Sequence, residues 1–298
     1  MSSYLAATAR ERLDGVFDAG SFVAFDGAGT EMASPHLALF HVPAAPGDGV
    51  AVGRATLAGV SVYVAAQDGS FMGGAVGEVH GARLAGLLRR AARDRVAAVV
   101  LLIDSGGVRL HEANAGLIAV SEVMRALLDA RAAGVPVVAL VGGANGAFGG
   151  MGIIACCANV VLMSAEARLA MSGPEVIASS HGSAEFDPRD RALVWRTTGG
   201  KHRYLLGDCQ LLVADDLAAF RQGALDALAR CTSAPVPLTL DALEREQQLL
   251  ASRIERFGAL RDPSDIWQAL GMPDAHNVPV LAAPAFVDAA APYRLGAP

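Results

Sequence analysis

The sequence predicts an α/β protein whose parallel sheet is built from consecutive units of strand, glycine-rich loop and helix. Three runs support this prediction: AAVVLLID (97–104), VPVVALV (135–141) and NVVLMS (159–164) are almost wholly apolar. Such runs are typical of strands that are covered on both faces. Glycine-rich loops follow the first two runs, and helical patterns separate successive runs, which favours a layered α/β architecture.

The N-terminal third precedes these units with a helix and a hairpin. Residues 4–17 place apolar side chains at helical spacing and predict a peripheral amphipathic helix. The runs at 50–57 and 60–67 alternate in polarity around Ala58-Gly59 and predict a β-hairpin. A long helix is expected over residues 75–93.

The first unit predicts a helix that begins near Val108, directly after the glycine pair. Its expected core stripe comprises Leu110, Ala113, Leu117, Val120, Met124 and Leu127, at steps of three and four. The second unit predicts a short apolar helix at IIACCA (153–158). ARLAMS (167–172) then predicts a strand, and Gly173-Pro174 predicts a helix start.

The C-terminal part is predicted to be mostly helical and then irregular. A last strand is expected near 211–216, followed by a helix at 215–230. The segment 232–240 contains prolines and predicts a linker, and residues 241–257 predict a helix. Residues 263–298 predict a loosely structured, apolar tail that docks on another surface.

Composition excludes several classes of function. The chain has 298 residues, 53% of them hydrophobic, and a net charge of −6, so it lacks the basic footprint of a nucleic-acid-binding protein. No run of 18 apolar residues predicts a membrane span. The start of the sequence shows no signal-peptide core, and the four cysteines lack zinc-site spacing. We therefore expect buried thiols, no metal and a cytoplasmic location.

Two glycine pairs indicate a candidate site for a developing negative charge. Gly106-Gly107 and Gly149-Gly150 each follow a predicted buried strand and precede a predicted helix. Glycine lets backbone amides approach a ligand, and helix starts carry unpaired N–H groups. Two such amides would form an oxyanion hole, each donor contributing about 3–4 kcal/mol. A tight turn is the alternative for either pair alone, and no GxxxxGK[ST] phosphate loop occurs.

Longer motifs resemble the carboxyltransferase branch of the crotonase superfamily. They are SFMGGAVGEVHGARL, DSGGVRLHEA, VPVVALVGGANGAFGGMGIIACCANVVLM and ARLAMSGPEVI. Roughly residues 8–180 are similar to the carboxyltransferase β subunit of bacterial acetyl-CoA carboxylase, without its four-cysteine zinc ribbon. The stretch HGSAEFDPRDRALVWRTTGGKHRYLLGD (181–208) extends the resemblance to the β-subunit family of biotin-independent malonate decarboxylases.

This resemblance implies the fold and the domain organisation. The expected fold is a crotonase-like (ClpP/crotonase) ββα superhelix with a peripheral N-terminal helix and a C-terminal helical tail. Residues 1–232 would form the carboxyltransferase-type domain. Residues 233–298 would form a C-terminal helix and tail that docks on the core or on a partner.

The resemblance also implies a reaction and partners. The expected reaction is decarboxylation of a malonyl thioester on an acyl-carrier protein, giving an acetyl thioester and CO₂ through an enolate. The expected partners are a homologous γ subunit, the acyl-carrier protein and an acyl-carrier-protein transferase subunit. No cofactor is expected to be bound covalently to this chain; a dephospho-CoA-derived prosthetic arm would carry the substrate.

The same resemblance assigns roles to glycine amides, while the proton donor stays open. Gly107 and Gly150 are the expected amide donors, within the candidate set Gly106, Gly107, Gly149 and Gly150. His111 is the nearest candidate proton donor; the alternatives are a structural role, His181, or a donor on the partner.

Further residues are expected to bind substrate or to support the first loop. Gly73, Gly74 and Met151 are expected beside the substrate. Lys201, His202 and Arg203 would bind phosphates of the arm or an acidic carrier, or form a solvated turn. Arg109 and Glu112, three residues apart, are expected to form an ion pair that pins this turn, with catalysis by Glu112 as the alternative.

Three other functions fit the same scaffold. Carboxyl transfer between biotin and an acyl-CoA is the first alternative. The second is a subunit that only clamps the thioester arm. Hydratase activity is disfavoured, because hydratases position water with two glutamates and the second glycine motif is followed here by Ile153-Ile154.

Overall fold

A computed structural model describes residues 2–25, 32–184, 186–234 and 237–296. The strands are β1 (Val23–Ala24), β2 (Val50–Leu57), β3 (Val60–Gln67), β4 (Val99–Ile103), β5 (Val137–Val141), β6 (Val160–Ser164) and β7 (Leu211–Val213). The helices are α1 (Ala9–Val16), α2 (Pro35–Leu39), α3 (Glu78–Asp94), α4 (Asn114–Ala132), α5 (Gly149–Cys156), α6 (Pro174–His181), α7 (Arg191–Thr198), α8 (Gly200–Leu206), α9 (Leu217–Ser233), α10 (Leu240–Phe257), α11 (Pro263–Ala269) and α12 (Ala283–Ala290).

The described strands form one sheet in chain order, from β1 to β7. β1, β2 and β3 pair antiparallel, and β3 to β7 pair parallel. Apolar cores cover both faces, one beneath α3, α4 and α5 and the other beneath α1 and α9. The predicted α/β class is confirmed, and β4, β5 and β6 are buried at every position, as their composition predicts.

A second, much shorter layer follows the parallel strands. Isolated parallel bridges join Val76 to Val108, Ser105 to Ala147, and Ala147 to Leu169. Each bridge lies a few residues beyond a strand of the main sheet, so successive units stack in two layers, as a ββα superhelix requires. The predicted strand at 167–172 is wrong as a full strand, because this segment contributes only bridges at Arg168 and Leu169.

The predicted hairpin is confirmed, with β2 and β3 in register from Val50↔Gln67 to Leu57↔Val60. Ala58 (φ 50°) and Gly59 (φ 79°) both have positive φ, which matches the right-handed twist of a two-residue hairpin turn. The N-terminal helix is shorter than predicted. It begins at Ala9, because Thr8 and Glu11 form a capping box there.

The helix predicted near Val108 begins six residues later, at Asn114. Ala113 has φ 46° and ψ −126°, which stops any continuous helix between the glycine pair and α4. Leu110 is 88% exposed, Leu117 is 59% exposed and Ala113 is also exposed, so the predicted core stripe is wrong at these three positions. The delay arises because the side chains of Arg109 and Glu112 turn inward and form a buried ion pair. Between them the backbone of Leu110–Glu112 forms a short 3-10 turn in place of the expected first turn of the helix.

The segment predicted as a loose tail is folded. α11 and α12 place Trp267 and Phe286 in the larger core, together with Met272 and Val278. The indole Nε1 of Trp267 donates to Nδ1 of His202 (3.1 Å), and Lys201 Nζ donates to the carbonyls of Pro279 and Leu281 (2.5 and 2.6 Å). The predicted helix at 241–257 is confirmed as α10, and residues 235–236 of the predicted linker lie outside the described residues.

Two buried histidines make stability depend on pH. Burial lowers the pKa of both His80 and His202 to about 3, so both are neutral in the folded protein at pH 5 to 7. The unfolded chain binds these protons below pH 6.5, so the free energy of unfolding falls as the pH falls from 6.5 towards 5. The loss approaches about 1.4 kcal/mol per pH unit for each histidine.

Urea titrations between pH 7 and 5 measure this slope. His202→Asn keeps an acceptor for Trp267 while removing one proton-binding site. We expect the variant to lose about half of the histidine-dependent slope. An unchanged slope in this variant would contradict the assignment.

Candidate active site: two glycine loops at adjacent strand ends

The two glycine pairs lie side by side where β4 and β5 end. Ser105 N–H donates to Gly146 O (2.7 Å), and Phe148 N–H donates to Ser105 O (3.0 Å). A Cβ built on Gly149 would lie 3.2 Å from the Cα of Gly107, so the backbones of the two loops are in contact. The structure therefore brings together the two loops that the sequence predicts to meet.

Two of the four glycine amides are already hydrogen-bonded to backbone carbonyls. Gly106 N–H donates to Gly73 O, and Gly149 N–H donates to Met171 O, each at 2.8 Å. These strong backbone bonds leave neither amide available to an oxyanion, which corrects the sequence prediction for Gly106 and Gly149.

The remaining amides are the available donors. Gly107 N–H donates only to the side-chain hydroxyl of Ser105, two residues earlier in the chain, at 3.2 Å. Gly150 and Met151, at the second and third positions of α5, donate to no acceptor among the described residues. Helix starts leave such N–H groups unpaired and carry a partial positive charge. Unlike α5, α4 begins well beyond its glycine pair, so the helix-start argument applies to the second loop only.

Gly150 also has a steric role. A Cβ on Gly150 would lie 2.5 Å from Cγ2 of Val120 and 3.0 Å from Cγ2 of Val108. Helix α5 therefore starts against the apolar side of α4. The side chain of Met151 is buried in the core, whereas its amide donates to no acceptor among the described residues, so the predicted contact of Met151 with substrate stays a prediction for its backbone.

Gly73 and Gly74 form a turn against the first loop. Both have positive φ (64° and 65°), and a Cβ on Gly74 would lie 1.8 Å from the carbonyl oxygen of Asp104. Only glycine allows this approach. The turn thus fixes the first loop through Gly73 O and Gly106 N–H.

A buried ion cluster holds the segment after the first loop. Arg109 donates from Nη1 to Asp48 Oδ2 (2.7 Å) and to Glu112 Oε1 (3.0 Å), and from Nε to Ala75 O (2.9 Å). The predicted pair of Arg109 and Glu112 is confirmed, with both side chains fully buried. Glu112 also accepts from Glu78 N–H (2.5 Å), so its carboxylate is held in the cluster and is shielded from solvent. Burial raises the pKa of Asp48.

Asp104 connects the two loops to each other. Its Oδ1 accepts from the backbone N–H (2.7 Å) and the side-chain Nδ2 (3.1 Å) of Asn145, and its Oδ2 accepts from Arg12 Nη1 (2.9 Å). Both ionic side chains are almost completely buried. Asp104 stands in the DSGG motif, but the sequence assigned it no role; the visible signal is a carboxylate placed at the end of an apolar strand.

The candidate proton donors lie on the surface. His111 is exposed, and its ring meets the edge of Phe40 with centroids 5.1 Å apart. His181 ends α6 and is also exposed. His111 follows the first loop by four residues, so it lies on the same segment as the available Gly107 amide.

The basic cluster predicted at 201–203 faces the protein. Lys201 and His202 hold the C-terminal segment, and Arg203 donates to Asp208 (3.1 Å) and to Thr197 O (3.2 Å). The segment is the start of α8, and its hydrogen bonds to protein groups disfavour the predicted binding of arm phosphates or an acidic carrier by these side chains.

The described residues hold no cluster of three metal-ligating side chains. The prediction of four buried thiols holds only for Cys209, since Cys157 and Cys231 are half-buried and Cys156 is exposed. Loss of hydration by the protein around it nevertheless raises the pKa of Cys156 to about 11. A thiol with such a pKa is protonated at neutral pH and is a poor nucleophile. No helix in the described part is both long and apolar enough to cross a membrane.

A carboxyl transferase domain model matches residues 6–252. The chain belongs to the carboxyl transferase domain family. Within this family it is 43% identical over 234 residues to malonyl-S-ACP:biotin-protein carboxyltransferase MADC of Malonomonas rubra, covering 74% of this chain and 73% of that protein.

Two solved structures of malonate decarboxylase assemblies resemble this chain. One is a Pseudomonas malonate decarboxylase hetero-tetramer in complex with malonate, with TM-score 0.81 and 36% identity over 90% of this chain and 97% of that chain. The other is the Pseudomonas malonate decarboxylase MdcD-MdcE hetero-dimer, with TM-score 0.65 and 35% identity over 84% and 96%. The crotonase-like fold predicted for this carboxyl transferase domain is confirmed.

Replacing Asp104 tests the connection between the loops. We expect Asp104→Asn to lower the free energy of unfolding by about 3–5 kcal/mol, because Arg12 would stay buried without its counter-charge. Asp14→Asn is the matched control, since it breaks the exposed pair of Arg10 and Asp14 on the same helix and costs at most about 1 kcal/mol. Equal losses in urea unfolding would contradict the role given to Asp104.

Proposed function

We propose that this protein is the malonate decarboxylase subunit that converts malonyl-S-acyl-carrier protein into acetyl-S-acyl-carrier protein and CO₂. The single observation that carries the proposal is the contact of two glycine loops, beyond the ends of β4 and β5, in which the amides of Gly107 and Gly150 donate to no backbone carbonyl among the described residues. The similarity to the Pseudomonas malonate decarboxylase structures supports the choice of substrate.

The geometry supports an enolate mechanism. The bond between C2 and the carboxylate breaks, and its electron pair forms a C1–C2 double bond while the carbonyl electrons move to oxygen. The amides of Gly107 and Gly150 stabilise that oxygen, and the positive end of α5 adds to this field. Val108 and Val120 next to Gly150 make the surroundings apolar, which favours departure of neutral CO₂. His111 then supplies a proton to C2, or a residue of the partner does.

A homologous γ subunit completes the proposed enzyme. Exposed apolar side chains cluster on the elements around His111, and two of these elements, α2 and the 3-10 turn, pack together. They are Leu39, Phe40, Leu110, Leu117 and Ile118. Contiguous exposed apolar surface is typical of a protein interface. We assign this surface to the γ subunit, with the acyl-carrier protein and its transferase subunit as further partners.

The substrate would arrive on the prosthetic arm of the carrier protein, derived from dephospho-CoA. This arm is part of the substrate and is not a resident cofactor. Support comes from the relative in Malonomonas rubra, whose name specifies malonyl-S-ACP.

A second candidate reaction is transfer of the same carboxyl group to a biotin protein. The 43% identity to a malonyl-S-ACP:biotin-protein carboxyltransferase favours it. Both reactions form the same enolate and differ in whether CO₂ is released or captured. A third possibility, a subunit that only clamps the arm, leaves the glycine amides without a role in the rate.

A matched pair of double variants tests the Gly150 amide. Val120→Ala makes room for a new side chain, after which Gly150→Pro removes the N–H and Gly150→Ala keeps it. Proline is compatible with the first turn of a helix. We expect the Gly150→Pro/Val120→Ala complex to lose about 10²- to 10³-fold in kcat relative to Gly150→Ala/Val120→Ala. Equal turnover of both assembled complexes would favour the clamping role.

Avidin distinguishes release from capture of CO₂. The purified complex is incubated with malonyl-carrier protein, with and without excess avidin, and CO₂ and acetyl-carrier protein are measured. We expect both products to form at the same rate under both conditions, because no step needs biotin. Inhibition by avidin would establish the biotin-dependent reaction instead.

A further inference from the structure

A cleft of about 420 Å³ opens beside the second glycine loop. It lies between the loop after β5 and the starts of α6 and α7. Its lining includes Ala144, Arg168, Glu175, Arg189, Arg191 and Trp195. None of these residues has a role in the mechanism above.

Two guanidinium groups share one indole ring in this cleft. The Cζ atoms of Arg168 and Arg191 lie 5.2 and 5.3 Å from the ring centroid of Trp195. Arg168 also lies 5.5 Å from the ring of Phe148 and donates to the carbonyl of Ala144. Two like charges held on one ring repel each other. Burial lowers the pKa of Arg168 most, the carboxylate of Glu175 opposes this effect, and the charge of Arg191 lowers the pKa further.

The positive charge in the cleft is only partly balanced. Neither Arg168 nor Arg191 forms an ion pair with a carboxylate among the described residues, and Glu175 is an exposed residue of the rim. Arg189 differs, because it binds Asp187 in a fork with two contacts of 3.0 Å. Arg168 and Arg191 therefore offer N–H donors whose charge no ion pair balances, whereas the charge of Arg189 is already balanced by Asp187.

The cleft adjoins the glycine loop directly. The carbonyl of Arg168 accepts from Ala147 N–H (2.8 Å), and its guanidinium stacks on Phe148, the residue before α5. A long arm whose thioester lies at Gly150 would extend from this loop, and its phosphates need a cationic site. Planar guanidinium groups bind phosphate oxygens in pairs of parallel hydrogen bonds.

We propose that Arg168 and Arg191, held on Trp195, bind a phosphate or diphosphate group of the arm that carries the malonyl thioester. This inference rests on the proposed function for the identity of the arm. The arm and free phosphate both present phosphate oxygens to such a site. The test below therefore distinguishes a phosphate ester or diphosphate of the arm from free phosphate.

Trp195 supplies the readout, since the only other tryptophan, Trp267, is buried in the core. The full chain is titrated with dephospho-CoA, pyrophosphate, inorganic phosphate and pantetheine while tryptophan fluorescence is followed. We expect a saturable change with dephospho-CoA, a weaker one with pyrophosphate and none with pantetheine. A saturable change with inorganic phosphate alone would show that the site binds free phosphate and not the arm, and it would overturn the proposal.

Variants identify the binding residues. Arg191→Gln removes an exposed guanidinium and is expected to weaken dephospho-CoA binding by about tenfold or more, the effect of one charge-assisted contact. Arg189→Gln is the matched control from the same cleft, with a change of no more than about twofold, since exposed ion pairs contribute little. Trp195→Phe removes the signal. Equal effects of Arg191→Gln and Arg189→Gln, with both variants folded by circular dichroism, would overturn the proposal.

Turnover separates this inference from the proposed function. In the assembled complex, Arg191→Gln should raise the KM for malonyl-carrier protein by a factor similar to its effect on dephospho-CoA binding. Binding that depends on Arg191 in a complex that releases no CO₂ would refute the decarboxylase and leave the phosphate site standing. Release of CO₂ with an unchanged KM in the variant would refute the phosphate site alone.

Discussion

The candidate site depends on one buried carboxylate, that of Asp104. It receives both the backbone and the side-chain amide of Asn145 in the second loop, and it neutralises Arg12 of the N-terminal helix. Breaking a buried ion pair leaves an uncompensated charge, so the three segments are coupled energetically. The two glycine loops consequently hold their relative position before any thioester arrives, as a preformed oxyanion hole requires.

Glycines that pack directly against Asp104 impose a second constraint on this centre, because they have no side chain there. A Cβ on Gly69 would lie 2.4 Å from Asp104 Oδ2, one on Gly143 2.1 Å from its Cγ, and one on Gly74 1.8 Å from its carbonyl oxygen. Two separate loops, one between β3 and α3 and the other after β5, therefore close on the same residue because they supply these three glycines. In this region glycine serves close packing as much as ligand access.

A continuous chain of buried polar groups links this centre to the Arg109 cluster. Asp104 N–H donates to Gln67 Oε1 (3.2 Å), and Gln67 Nε2 lies 3.0 Å from His80 Nε2. The carbonyl of Asp48 can only accept, so His80 Nδ1 carries the proton there (3.0 Å) and Nε2 accepts from Gln67. Satisfied buried networks of this kind specify a single arrangement of the backbone, here of both segments that flank Gly106 and Gly107.

The sequence by itself determined the α/β class, the hairpin, the buried strands β4 to β6 and the meeting of the two glycine loops, because apolar runs and glycine positions are local signals. Only the tertiary structure decided which amides are available, since Gly73 O and Met171 O, distant in sequence, occupy those of Gly106 and Gly149. It also decided that α4 starts late, because the partners of Arg109 lie up to 61 residues away. Lys201 and His202 bind a C-terminal segment whose fold the local sequence pattern does not predict. Long-range contacts of this kind produce no periodic pattern of residues in the sequence.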